Sequence, residues 1–206
     1  MFVDLAQPTA STLFATDARG GEHEGDNGGF GIVATSDVSG QVLRDILEKG
    51  TKPGHTVTKL DGSFRPRRRP EEPWRRSTPF TRVSRQLAAI PSRSWQPVDA
   101  GLWNFTDPIA LGEGRAVVRL LKILSARSAA HNHRVISLQD NTVISGSFTK
   151  GRSPAPAVNH LARQRSALSI AAAIGLVLPW VPSTEQTADD ISRDKALQIS
   201  LQAKRT

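Results

Sequence analysis

The sequence predicts a single α/β unit in which a mixed β-sheet is flanked by helices. Three observations predict this class. Two apolar segments with strand character stand near the N-terminus, and strand and helix periodicities then alternate through the second half of the chain. The length of 206 residues suits one hydrophobic core with appendages better than two domains.

The N-terminal segments predict a β-hairpin with a loose tip. Residues 12–19 (TLFATDAR) have the composition of a strand that ends at Asp17, and 30–34 is a second apolar run. A third strand is expected from 41–47 or 56–60, although 41–50 (QVLRDILEKG) also has helical spacing, and the sequence leaves these alternatives open. The turn between the first two strands is marked by Gly20, Gly21, Gly25, Gly28 and Gly29.

A basic, proline-rich segment at 63–95 is predicted to be a mobile insertion, because its prolines prevent a continuous helix or a central strand. Its run at 65–76 (RPRRRPEEPWRR) is either a solvated loop or an electrostatic clamp on a phosphate backbone. The candidate nucleic-acid-binding residues in it are Arg65, Arg67, Arg68, Arg69, Trp74, Arg75 and Arg76.

The second half of the chain predicts two long helices between strands. The first helix is expected at 109–126, from apolar residues spaced i, i+3, i+4 and i+7, and a buried strand at 134–138 follows it. A short helix at 141–148 is expected to close near Gly151. The second long helix is expected to begin at Ser153–Pro154 and to end at Gly175.

The C-terminal elements are a strand and a helix. The strand at 176–181 contains Pro179, which cannot donate to a β-ladder, so this strand is expected at a sheet edge. A closing helix is expected at 183–193, where a capping-type Ser-Thr-Glu begins the segment.

The composition restricts chemistry and compartment. The chain has no cysteine, which excludes disulfides, thiolate metal sites and cysteine nucleophiles. A formal charge of +8 favours a polyanionic partner, most simply nucleic acid. The N-terminus lacks the pattern of a secretory signal, and the longest apolar stretch, 170–181, is too short to span a bilayer. We therefore expect an intracellular protein of the nucleus or cytoplasm that is neither secreted nor bound to a membrane.

Four acids stand at comparable points of the predicted elements: Asp17, Glu113, Asp140 and Asp189. Two of them end strands and two lie on helices. Each has an ordinary explanation taken alone, because acids often cap helices or occupy turns, and the helix dipole favours Glu in a first turn. Their local sequences, taken together in chain order, point to a shared site.

These local sequences resemble the ribonuclease H domain of reverse transcriptases of gypsy and DIRS-like retroelements. Asp17 lies in T-D-A-R followed by G-F-G, and Glu113 lies in L-G-E-G-R-A-V. Asp140 lies in L-Q-D-N-T, with K-G-R-S-P-A-P-A-V-N-H-L-A-R beyond it, and Asp189 lies in W-V-P-S-T-E-Q-T-A-D-D-I-S-R. The resemblance is best over 134–193, weaker over 103–124 and limited to a short motif over 12–34.

The resemblance implies a ribonuclease H-like domain at 12–193, with a five-stranded mixed sheet flanked by helices, an N-terminal extension at 1–11 and a tail at 194–206. It implies hydrolysis of the RNA strand of RNA–DNA hybrids by two Mg²⁺ ions, which Mn²⁺ could replace. Asp17, Glu113 and Asp140 would form the core of the metal site and Asp189 would complete it, with Asp190 as the adjacent alternative. Mg²⁺ prefers hard oxygen ligands, which agrees with clustered carboxylates.

The sequence also departs from the family pattern. The loop at 19–28 is longer and more acidic than the usual turn, and Phe30 stands where Trp is common. The chain has no tyrosine, so it lacks the Y-x-D-D polymerase signature and would be a retroelement fragment without its polymerase. The alternative function is a decayed domain that binds nucleic acid without cutting it. Retention of four acids favours activity, because a binding module has no physical need to bring like charges together.

Overall fold

The computed structural model describes residues 7–50, 86–88 and 90–203. The named strands in these ranges are β1 (Thr9–Arg19), β2 (Gly29–Thr35), β3 (Gln96–Leu102), β4 (Arg134–Leu138) and β5 (Gly175–Val177). The named α-helices are α1 (Gly40–Gly50), α2 (Ile109–Ser125), α3 (Thr142–Lys150), α4 (Pro156–Ala171), α5 (Asp189–Arg193) and α6 (Lys195–Ala203).

The strands form one five-stranded mixed sheet in the order β3-β2-β1-β4-β5. Strand β2 runs antiparallel to both β1 and β3, whereas β4 runs parallel to both β1 and β5. The predicted mixed sheet flanked by helices is therefore confirmed. Because β1 and β4 are parallel neighbours, their carboxyl ends lie at the same edge of the sheet.

Alternation of side chains along β1 separates two hydrophobic clusters, one on each face of the sheet. Phe14 and Ala18 contribute to a larger cluster with residues of α2, α3 and α4. Leu13 and Ala15 contribute to a smaller cluster with residues of α1 and with Val181 and Ala188. The sheet is thus covered on both faces, and its central strand is buried from Leu13 to Arg19.

The third strand differs from the prediction. Residues 41–50 lie within helix α1, and 56–60 lie outside the described residues. The third strand is β3, which pairs with β2 at an edge of the sheet. Its sequence, QPVDAGL, has weak alternation and contains Pro97, a residue that edge strands tolerate because one side of the ladder is unpaired.

The two ends of α4 also differ from the prediction. The helix begins at Pro156 after Ala155, whereas the Ser153 hydroxyl accepts the Ala155 N–H in the preceding turn. Its C-terminus is a Schellman arrangement, in which Ile174 N donates to Ser169 O at 2.9 Å and Ala173 has a φ of 50°. Alanine therefore occupies the left-handed position, and Gly175 instead begins β5.

Three further elements differ from the prediction. The expected strand at 176–181 is shortened to β5, which lies at the predicted sheet edge and is followed by an isolated bridge between Gln139 and Trp180. The expected helix at 183–193 is divided into a 3₁₀ turn, Ser183–Glu185, and the short helix α5. The expected tail contains helix α6, which packs against β3.

Most of the basic segment predicted as an insertion, including all seven of its candidate nucleic-acid-binding residues, lies outside the described residues. Near the C-terminal end of that segment, Ile90 is buried and both Leu87 and Trp95 pack against the smaller cluster. None of the helices in the described ranges has the length and hydropathy of a membrane-spanning segment.

Candidate metal site

The fold brings three of the four predicted acids together. Asp17 lies near the end of β1, Asp140 follows β4, and Glu113 is carried by the second turn of α2. One carboxylate oxygen from each of the three lies within 4.8 Å of the others. Asp17 and Glu113 are only 3% and 4% exposed, whereas Asp140 is half-buried. The parallel pairing of β1 and β4 explains why Asp17 and Asp140 meet at one edge.

The fourth predicted acid, Asp189, lies beside this group and not within it. It is the first residue of α5, and its Oδ1 accepts a hydrogen bond from Arg193 Nε at 2.8 Å. Its negative charge is nevertheless close enough to raise the pKa of Asp17. Asp190, the adjacent alternative, is exposed. A direct role for Asp189 in metal binding stays a prediction.

Two polar residues that the sequence analysis did not select touch the acids. The Ser192 hydroxyl donates to Asp17 Oδ2 at 2.5 Å, and Gln139 Nε2 donates to Glu113 Oε2 at 2.7 Å. Both residues lie inside the quoted motifs, Ser192 in A-D-D-I-S-R and Gln139 in L-Q-D-N-T. Their place in these motifs was the available signal, but only the folded chain shows which acid each one contacts.

The G-F-G motif has a packing explanation. Gly31 pairs with Asp17 across the β1–β2 ladder, and a Cβ at Gly31 would lie 2.6 Å from Ser192 N and 2.9 Å from Ile191 C. The backbone of α5 therefore packs directly against the backbone of β2 at Gly31. Phe30, between the two glycines, stacks on Trp103 on the opposite face, with ring centroids 4.7 Å apart. The glycine allows α5 to approach the sheet and brings Ser192 to Asp17.

Gly31→Ala should displace α5 and weaken the Ser192–Asp17 hydrogen bond. Because the new methyl group would meet backbone atoms of α5 and not a flexible side chain, we expect a loss of about 1–3 kcal/mol in the free energy of unfolding. Gly146→Ala is the matched control, since a Cβ there meets no atom within 4 Å. Urea unfolding of the two variants checks this, and equal stabilities would contradict the packing explanation.

Burial and mutual repulsion shift the protonation of the acids. Burial raises the pKa of Asp17 to about 6, with the charges of Asp140 and Asp189 adding to the rise and the Ser192 hydrogen bond opposing it. Burial raises the pKa of Glu113 to about 9, with further contributions from Asp17 and Asp140, against the hydrogen bonds of Gln139 and the Ala18 N–H. Three converging carboxylates, two of them buried, fit a hard divalent cation, which would stabilise their ionised forms.

A second group of possible ligands, Glu22, His23 and Asp26, lies in the glycine-rich loop after β1. Asp26 Oδ2 already accepts from Arg19 Nη1 at 2.7 Å and lies 3.0 Å from Lys195 Nζ. The Arg19 guanidinium, the Gly28 N–H and the Lys195 ammonium hold the pKa of Asp26 well below its usual range. Asp26 therefore joins the loop to the start of α6, and its carboxylate is already occupied by cationic side chains.

Comparison with solved structures identifies the fold. The chain is similar to LC11-RNase H1, isolated from compost by a metagenomic approach, with a TM-score of 0.50 and 12% sequence identity over 94% of this chain and 96% of that one. It is also similar to the N-terminal RNase H domain of rv2228c from Mycobacterium tuberculosis, solved as a fusion with maltose-binding protein, with a TM-score of 0.47 and 14% identity over 95% of this chain and 98% of that one. No protein-family model matches the chain, and no curated protein matches its sequence.

The sheet order, the covering helices and the similarity to LC11-RNase H1 define a ribonuclease H-like α/β fold. The narrower resemblance to retroelement domains rests on the sequence motifs and stays a prediction.

Proposed function

We propose that the protein is a metal-dependent endonuclease of retroelement origin that hydrolyses the RNA strand of RNA–DNA hybrids. The observation that carries the proposal is the convergence of Asp17, Glu113 and Asp140 at the carboxyl edge of the sheet. Bringing together three like charges is costly without a cation and useful with one. We propose that these three acids hold Mg²⁺, or Mn²⁺ in its place, and that Asp189 completes the ligand set.

The three acids differ in burial: two are held in the interior, and one is accessible from solvent. Asp17 and Glu113 are buried on a central strand and a long helix, and Ser192 and Gln139 restrain their carboxylates by hydrogen bonds. Asp140 is the most exposed of the three and stands at the edge where a nucleic-acid strand would approach. When bound, divalent ions would activate the attacking water and stabilise the leaving oxygen of the phosphodiester.

The experiment incubates the purified protein with an RNA–DNA hybrid labelled on the RNA strand, in chelator, in Mg²⁺ and in Mn²⁺. We expect cleavage of the RNA strand with either metal, none in chelator, and little cutting of a duplex DNA of the same sequence. If folded protein binds the hybrid but leaves the RNA strand intact in both Mg²⁺ and Mn²⁺, the proposed nuclease activity is contradicted. The alternative of a nucleic-acid-binding module would then remain.

We also propose that the basic run supplies affinity that does not depend on sequence. Each phosphate that a cation neutralises releases counterions, which steepens the salt dependence of binding by roughly 0.7–0.9 log units. Replacing the six arginines with Gln should therefore flatten the slope of hybrid affinity against salt concentration. An unchanged slope would show that the run is a solvated loop. The six are Arg65, Arg67, Arg68, Arg69, Arg75 and Arg76.

A further inference from the structure

Gln139 lies beside Glu113 with its side-chain amide in the protein interior. It is 0% exposed and occupies the position directly before Asp140. Its Nε2 donates to Glu113 Oε2 at 2.7 Å, and its Oε1 accepts from Thr16 Oγ1 at 3.0 Å. One side chain therefore connects β1, the end of β4 and α2.

With Glu113 ionised, as it would be beside a cation, the donors and acceptors of these hydrogen bonds are determined. A carboxylate only accepts hydrogen bonds, so an ionised Glu113 requires the amide nitrogen of Gln139 to face it. The amide oxygen then faces Thr16, whose hydroxyl must donate. By donating to Gln139 Oε1, the Thr16 hydroxyl stabilises the amide orientation in which Gln139 offers a donor to Glu113. A flipped amide would present its oxygen to the carboxylate and repel it.

Thr16 and Gln139 are also sequence neighbours of the other two acids. Thr16 immediately precedes Asp17 and Gln139 immediately precedes Asp140, while Glu113 is held by the Gln139 amide. Thr16 and Gln139 are also anchored through their backbones. Thr16 O accepts from Gln186 Nε2 at 3.1 Å, and the Gln139 peptide groups bond Pro179 O at 3.0 Å and Val181 N at 2.9 Å. Both residues are therefore held in place by further hydrogen bonds to the segment at 179–186.

We propose that Thr16 and Gln139 form a positioning relay that holds the Glu113 carboxyl group in the orientation needed to ligate a divalent cation. This inference rests on the proposed function, because it assigns the relay to the same metal site. In this proposal Thr16 and Gln139 act on Glu113 and do not touch the substrate. Glu113 has several rotatable side-chain bonds, and fixing them before the metal arrives reduces the entropy lost on binding.

The test measures Mn²⁺ affinity from the spin-resonance signal of free Mn²⁺, and Mg²⁺ affinity from the rise in melting temperature. Gln139→Met keeps a similar shape but removes both hydrogen bonds, and we expect both affinities to fall about 10–100-fold, as is typical when a partner of a metal ligand is lost. Thr16→Val removes the donor that orients the amide and should cause a smaller fall in the same direction. Thr16→Ser restores a hydroxyl and should recover wild-type affinity.

The relay also predicts how the substitutions combine. Because Thr16 acts only through Gln139, the Thr16→Val/Gln139→Met double variant should bind no more weakly than Gln139→Met alone. Thr12→Val is the matched control, since Thr12 lies on the same strand and its hydroxyl contacts the exposed Ser36 hydroxyl at 3.2 Å. It should bind both metals as the wild type does.

Metal-free melting shows whether each variant folds. If Gln139→Met fails to fold, the Thr16→Val and Thr16→Ser pair decides the question, because valine is nearly isosteric with threonine. Additive losses in the double variant, or equal affinities of Thr16→Val and Thr16→Ser, would overturn the relay while leaving the metal site intact. Failure of the wild type to bind Mn²⁺ would instead contradict the proposed function, and the relay with it.

Discussion

Asp140→Asn should leave the protein folded but remove most of its stabilisation by Mg²⁺ and its cleavage of hybrid RNA. The substitution keeps nearly the same shape and removes one of three converging charges. The repulsion on Asp17 and Glu113 should fall, so the stability of the metal-free protein should rise or stay level. The stabilisation of the protein by Mg²⁺ should shrink, because an ion that binds the native state less tightly stabilises it less.

Thermal melts of the wild type and Asp140→Asn, in chelator and in millimolar Mg²⁺, measure both effects. Asp37→Asn makes the same chemical change at an exposed loop acid and should respond to Mg²⁺ as the wild type does. Equal Mg²⁺-induced shifts in the wild type and Asp140→Asn would remove Asp140 from the metal site. If Asp140 had only a capping or turn role, the Asp140→Asn variant would instead lose about 0.5–2 kcal/mol of stability, and its Mg²⁺ response would equal that of the wild type.

The metal-free protein should lose stability as the pH rises from about 4 toward 9. Folding raises the pKa of Asp17 from 3.8 to about 6 and that of Glu113 from 4.5 to about 9. The native state therefore binds more protons than the unfolded state between these values, so unfolding becomes easier as the pH increases. At about 1.4 kcal/mol per pKa unit, the shift at Asp17 alone corresponds to about 3 kcal/mol, lost as the pH passes 6. Glu113 accounts for the continued decline toward pH 9.

Urea unfolding in chelator between pH 4 and pH 9 tests this dependence. Glu113→Gln should flatten the decline above pH 7, because the side chain that titrates there is gone, while the Asp17 part of the decline remains. Added Mg²⁺ should reduce the loss in the wild type, since a cation stabilises the ionised carboxylates. A wild-type protein whose stability is constant or rises over this range would contradict the buried, mutually repelling arrangement of the acids.

The core of the candidate site could be predicted because its acids occupy the ends of elements with strong periodicity. The apolar face of α2 fixes which side of that helix is buried, and the buried runs of β1 and β4 locate Asp17 and Asp140 at strand ends. The parallel pairing of two neighbouring strands then brings the acids together. These are local patterns whose spatial result follows from general rules of sheet geometry.

The remaining features depend on tertiary contacts that have no local signature. Strand β3 has weak alternation and is stabilised by pairing with β2 and by packing of α6. The position of Asp189 follows from where α5 rests on Gly31, a contact between residues far apart in the chain. The Thr16–Gln139–Glu113 contacts also join distant residues, so the sequence shows the amino acids but not the hydrogen bonds.

The most direct test of the account is anomalous diffraction from crystals of the protein grown with Mn²⁺. We expect anomalous density within coordination distance of the Asp17, Glu113 and Asp140 carboxylates, the group that converges at the carboxyl edge of the sheet. Density found instead at Glu22, His23 and Asp26, or no density beside the three carboxylates in crystals that contain ordered Mn²⁺ elsewhere, would contradict the assignment of the metal site.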